Sequence, residues 1–114
     1  MKRISTHVLD LRLGKPAKDL PVRLERRDSA GEWRVLNLSR TDGEGRCTEL
    51  LPEKEDLPAG LYRLAFDTAG YYRAEETQGL YPVVEITFQV REGESHFHIP
   101  LLLSPYGYTT YRGS

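Results

Sequence analysis

The sequence predicts an all-β protein, a sandwich or barrel with one short helix. Three observations carry that expectation. Apolar and polar residues alternate with period two in segment after segment, and turn-forming Gly, Pro, Asp and Ser separate the segments. Only one stretch breaks the pattern with helix chemistry.

The elements follow in order. Residues 4–11 alternate and are closed by Gly14-Lys15-Pro16. Residues 22–27 alternate again and end at Asp28-Ser29-Ala30-Gly31. Residues 33–38 form the next strand, ended by Thr41-Asp42-Gly43-Glu44-Gly45, with a further short strand placed near 46–49. Strands are then expected at 60–66, 83–90, 96–103 and 106–112. Residues 67–79 read as the helix, because Asp67 or Thr68 supplies a cap, Gly79 a stop, and Pro82 follows. The proline-bracketed stretch 51–58 is a charged, solvated connector. Pro100 is the rule-breaker, since proline gives no N–H to a ladder. Either the 96–103 strand bulges there, or the missing donor faces away from a neighbour.

A chain of 114 residues fits one domain, residues 1–114, with one core. Sixteen basic and seventeen acidic side chains leave a net charge of −1, so no global field favours nucleic acid or an anionic membrane. Cys47 is the only cysteine, which excludes an intrachain disulfide and the Cys-pair zinc patterns. It is expected to be a buried thiol. The N-terminus lacks the apolar stretch of a signal peptide, and no run has the roughly 18 apolar residues of a membrane span. A soluble, cytoplasmic protein without a Ser-Lys-Leu address is the expectation.

Side chains alternate across a strand, which splits each segment into two rows. Thr6, Val8 and Asp10 share one face of the first strand, and His7, Leu9 and Leu11 the other. The row Phe97, Ile99, Leu101 and Leu103 belongs in a core, leaving His96, His98, Pro100 and Leu102 outside. If the first strand pairs there, several large apolar groups surround two imidazoles on an outer face. Monomers seldom leave such a patch in water, so a symmetric homo-oligomer is expected, with histidines at or near the interface.

His7, His96 and His98 are the whole imidazole supply. One reading makes them a three-His metal site with an open position for an ionised water. The other makes a neutral imidazole a general base, suited to pH 7 by its usual pKa of about 6.5, with an arginine offsetting substrate charge. Spacing alone does not separate the two. Arg46, after a glycine-rich turn, is the candidate arginine. The ending, with its Ser104-Pro105 turn and tyrosines running to Ser114, suggests a terminus built into the structure rather than a frayed tail. The glycines form no phosphate-cradling loop, and there is no nucleophile elbow.

Taken together, the motifs resemble one enzyme family along almost the full chain. They are Ser5-Thr6-His7-Val8-Leu9-Asp10, Gly14-Lys15-Pro16-Ala17, Thr41 to Arg46, Tyr81 to Phe88, His96-Phe97-His98-Ile99-Pro100 and the terminal Tyr111-Arg112-Gly113-Ser114. The chain resembles the 5-hydroxyisourate hydrolases, the transthyretin-related enzymes of urate degradation. The resemblance implies a transthyretin-like sandwich of two four-stranded sheets with one short α-helix. It implies a homotetramer, a dimer of dimers, with active sites in a channel between dimers. It implies hydrolysis of a ring amide of 5-hydroxyisourate to 2-oxo-4-hydroxy-4-carboxy-5-ureidoimidazoline in purine catabolism, with no cofactor and no metal. His7, Arg46 and His98 then carry catalysis, and His7, Arg46, Tyr111 and Ser114 bind substrate, with His96 in support. The hormone carriers of the same architecture lack this set. A small-ligand carrier and a metal-dependent cyclic amide hydrolase are the competing readings.

Overall fold

The computed structural model describes residues 2–114, which form two facing β-sheets and one short helix. At the centre of the first sheet is β1 (Arg3–Asp10). One edge of β1 pairs antiparallel with two short segments, β2 (Lys15–Pro16) and β5 (Arg46–Cys47). The other edge pairs parallel with β8 (His96–His98) and then β9 (Leu101–Ser104), and β10 (Gly107–Thr110) closes the sheet beyond β9. Residue partners keep the same register in β8 and β9, so these two are one interrupted strand. The sheet therefore has four tracks. The second sheet is antiparallel, in the order β4 (Trp33–Arg40), β3 (Pro21–Arg27), β6 (Gly60–Phe66) and β7 (Val84–Val90).

The unchanged register across Ile99 and Pro100 settles the proline. No extra residue is inserted, so there is no bulge. The Ile99 amide donates to the Ser5 carbonyl, and alternation turns the Pro100 nitrogen to the opposite edge. There the Thr110 hydroxyl donates to the Pro100 carbonyl at 2.7 Å. Alternation placed Pro100 on the outer row as an exposed group; it is buried instead, because the chain beyond β10 runs alongside it.

The core lies between the sheets and takes the expected rows. Ile4 and Val8 of β1, and Phe97, Ile99, Leu101 and Leu103, meet Val22, Leu24, Leu64, Phe66 and Val84 from the second sheet. Cys47 is buried as expected. Two polar side chains on the inner face of β1 are satisfied there, which is what burial of polar groups requires. The Thr6 hydroxyl donates to the Ile99 carbonyl at 2.6 Å. Asp10 accepts from the Tyr71 hydroxyl at 2.7 Å and from the Arg12 amide at 2.9 Å.

The helix α1 spans Thr68–Ala74, with Asp67 as its N-cap accepting from the Gly70 amide. It ends earlier than the expected Gly79. Glu76 takes φ +52°, Thr77 donates to the Tyr72 carbonyl and Glu76 to that of Arg73, which is a Schellman stop with a non-glycine residue in the left-handed position. Gly79 serves packing instead, since a Cβ there would meet the Tyr72 ring at 2.9 Å. No helix among the described residues is long and apolar enough to cross a membrane.

Candidate active site

Strand register decides which outward side chains of the first sheet become neighbours. Ser5 lies opposite His98 and Leu9 opposite Leu102 across the parallel ladder. On the other edge of β1, His7 lies opposite Arg46. Beyond β10 the chain keeps its register, because an isolated bridge pairs Gly113 with His98 just as Thr109 pairs with Leu102. Three outward rows result. The first is Ser5, His98 and Gly113, the second Arg46, His7, Pro100 and Tyr111, and the third Pro16, Leu9, Leu102 and Thr109. Adjacent members of such a row have Cβ atoms about 4.5–5.5 Å apart.

His98 is the most constrained group. Its Nδ1 lies 2.8 Å from the Ser5 hydroxyl oxygen, and its carbonyl accepts from the Gly113 amide at 2.7 Å. The imidazole packs directly on Gly113, where a Cβ would come within 2.5 Å of His98 Cδ2. Burial, and then the positive charges of Arg46, His7 and His96, hold its pKa below the usual 6.5. His98 is therefore neutral at pH 7, and its Nε2 has no hydrogen-bond partner among the described residues.

His7 is oriented from the turn that precedes Arg46. Its Nε2 is 2.9 Å from the Glu44 carbonyl oxygen. A carbonyl only accepts, so Nε2 carries the proton and Nδ1 the lone pair in the neutral ring. The turn is tied by Asp42, whose side chain accepts from the Glu44 amide at 2.8 Å and the Arg46 amide at 3.0 Å. Those backbone donors, that of Arg46 foremost, keep the Asp42 carboxyl ionised well into acid. Gly45 is required here twice over: its φ is +78°, and a Cβ would lie 2.5 Å from the Val8 carbonyl oxygen. The result is an exposed Arg46 guanidinium beside His7.

Tyr111 and Ser114 flank the Gly113 bridge and are exposed. Between them Arg112 turns to the inner side, stacking over Phe97 at 4.6 Å and pairing with Glu94 at 3.2 Å. It also donates to the His96 carbonyl at 3.1 Å, so the terminus is pinned as the sequence suggested. His96 itself is exposed, one row beyond His98. Among the described residues, no three His, Cys, Asp or Glu side chains converge in a way that would hold a metal ion.

Four expected residues thus share one outward face, His7, Arg46, His98 and Tyr111, while Ser114 follows the Gly113 bridge as an exposed terminal residue. Sequence reasoning missed Ser5, the Glu44 carbonyl and the steric need for Gly113. Ser5-x-His7 spacing signals a shared face, but only the parallel register reveals that Ser5 meets His98.

The face as a whole offers a neutral imidazole with a free nitrogen, a second imidazole and a guanidinium, a set suited to proton transfer beside developing negative charge. Comparison with known proteins gives the family. The model of the HIUase/Transthyretin family matches residues 4–113. Similar curated proteins include the 5-hydroxyisourate hydrolase of Mus musculus, 44% identical over 97% of this chain and 94% of that protein. Another is that of Salmonella dublin, 42% identical over 97% of this chain and 80% of the relative. The solved 5-hydroxyisourate hydrolase of Klebsiella pneumoniae is similar over 100% of both chains, with a TM-score of 0.86 and 34% identity. Sea bream transthyretin, solved in complex with thyroxine, has a TM-score of 0.89 and 32% identity over 96% of this chain and 93% of its own. With its two sheets, one short helix and near-complete match, this chain belongs to the HIUase/Transthyretin family.

Proposed function

We propose that this protein is a 5-hydroxyisourate hydrolase of urate breakdown, one domain per chain, working as a homotetramer whose sites form where outer faces meet. The observation that carries the reading is the convergence of His7, Arg46 and His98 on one outward face, with the terminal Tyr111 and Gly113 in register beside them. The names of the curated relatives support the same chemistry.

The geometry supports the following course. Neutral His98 takes a proton from water at Nε2 as the oxygen attacks a ring carbonyl of the substrate. Arg46 offsets the charge building on the carbonyl oxygen and holds the anionic edge of the ring. The C–N bond of the ring amide then breaks, and the proton held at His98 passes to the departing nitrogen. Water is thus added across one bond, giving 2-oxo-4-hydroxy-4-carboxy-5-ureidoimidazoline. His7, fixed by Glu44, presents Nδ1 to substrate or water, and Tyr111 and Ser114 close the pocket.

A family member solved with thyroxine keeps a small-ligand carrier in view. The deciding experiment generates 5-hydroxyisourate in situ from urate with uricase and follows its ultraviolet decay. Acceleration by this protein is expected. Decay at the uncatalysed rate would leave the carrier. A metal-dependent hydrolase would instead lose activity on chelation and regain it with zinc.

A further inference from the structure

Ser5 is absent from the chemistry just described, yet it is the side chain in closest polar contact with the proposed base. It sits on β1 opposite His98 in the parallel ladder, nearly buried, with its hydroxyl oxygen 2.8 Å from His98 Nδ1. A hydroxyl both donates and accepts, so this one contact decides which nitrogen of the neutral imidazole keeps the proton. If Ser5 donates, Nε2 carries hydrogen and faces substrate as a donor. If Ser5 accepts, Nδ1 carries hydrogen and Nε2 is free to take a proton.

We infer that Ser5 is a positioning residue that accepts from His98 Nδ1–H and so presents the Nε2 lone pair as the base. The inference rests on the hydrolase reading for its use, though not for its geometry. Three observations support it. The ring is seated between Gly113, which abuts Cδ2 and Cγ, and Ser5, whose hydroxyl lies 2.8 Å from Nδ1. The same acceptor also serves the imidazolium formed after proton capture, since both ring nitrogens then donate and Nδ1–H remains bonded to Ser5. Finally, burial and then Arg46, His7 and His96 disfavour that imidazolium, so an oriented oxygen at Nδ1 counters them as the proton is taken up. This is the usual logic by which the bond at one imidazole nitrogen sets the role of the other.

The test reads the tautomer directly and separately from turnover. Nitrogen-15 spectra of the assembled wild-type protein above pH 7, without substrate, are expected to show His98 with a protonated Nδ1 and an unprotonated Nε2. Ser5→Ala should populate the other tautomer and lower kcat by roughly tenfold, the value of one ordinary hydrogen bond, with KM changed less than about twofold. Ser5→Thr, which keeps the hydroxyl, should restore both. A wild-type spectrum with the proton on Nε2 overturns the inference with no variant needed. So does a Ser5→Ala protein whose tautomer shifts while kcat stays at the wild-type value. If wild-type protein fails to hydrolyse 5-hydroxyisourate while the Nδ1–H tautomer is present, the hydrolase reading falls and the Ser5 contact remains as described.

Discussion

His98 is held by contacts of different kinds, each with its own consequence. Ser5 fixes one ring nitrogen, Gly113 fills one face, and burial, then neighbouring cations, keep the ring neutral. Replacing His98 by Asn keeps a polar group of similar size but removes the base, so kcat should drop by at least about 10²-fold in the coupled urate assay. The pH dependence follows from the lowered pKa. In the folded protein His98 stays neutral to a lower pH than the usual 6.5, so kcat/KM should hold down through that value and fall only below it. An acid limb centred above 6.5 would contradict the assignment. The same shift acts on stability. Between the folded pKa and about 6.5 the unfolded chain binds more protons, so the contribution of His98 is complete above 6.5 and is lost as pH falls through that window.

Two backbone features extend this reasoning to whole elements. The terminal stretch is an extension of β10 that resumes pairing with β8 once past Pro100. Gly113→Ala puts a methyl into the His98 ring, so either the imidazole rotates off Ser5 or the terminus lifts away. Turnover should fall by roughly ten- to a hundredfold, with unchanged far-ultraviolet dichroism showing that the sandwich survives. At the other end of the fold, α1 stops on Glu76 with φ +52°. A side chain in that conformation costs about 1–2 kcal/mol, partly offset in glycine by backbone entropy. Glu76→Gly should therefore stabilise the protein by about 0.5–1 kcal/mol. Urea unfolding at fixed protomer concentration would measure it, and a fall in midpoint would show the stop to be unstrained.

At the scale of the molecule, the candidate site is open on the side away from the sandwich, and its rim is apolar. Leu11 is 55% exposed and Tyr106 68%, flanking the face that carries His7 and His98. The free edges of β7 and β10 add unpaired backbone groups, which native proteins ordinarily cover. A tetramer joined through these surfaces would enclose the site and exclude water from it. Light scattering is expected to give four protomer masses. Leu11→Asp combined with Tyr106→Asp should lower the mass and the activity together. Full activity in a stable monomer would separate the site from assembly.

Most of the architecture was legible because strand patterning is local. The row Phe97, Ile99, Leu101, Leu103 was assigned to the core from period two, Thr6, Val8 and Asp10 were grouped on one face, and all are buried. His7, His98 and Arg46 were candidates from the residues themselves, each on an element whose position the pattern anticipated, and the resemblance supplied the roles expected of them. The helix end was misplaced because Gly79 looked like the stop, whereas hydrogen bonding let Glu76 adopt a conformation its type disfavours. Burial of Pro100, the Ser5–His98 contact and the bridge at Gly113 all depend on which strands lie side by side and in what register. Register joins residues more than ninety positions apart through long-range packing, and no local pattern encodes it. The sequence by itself determined the strands, their inner and outer faces and the supply of imidazoles. Only the tertiary structure decided which neighbour each imidazole has, because a tautomer is set by contact across the sheet and not by composition along the chain.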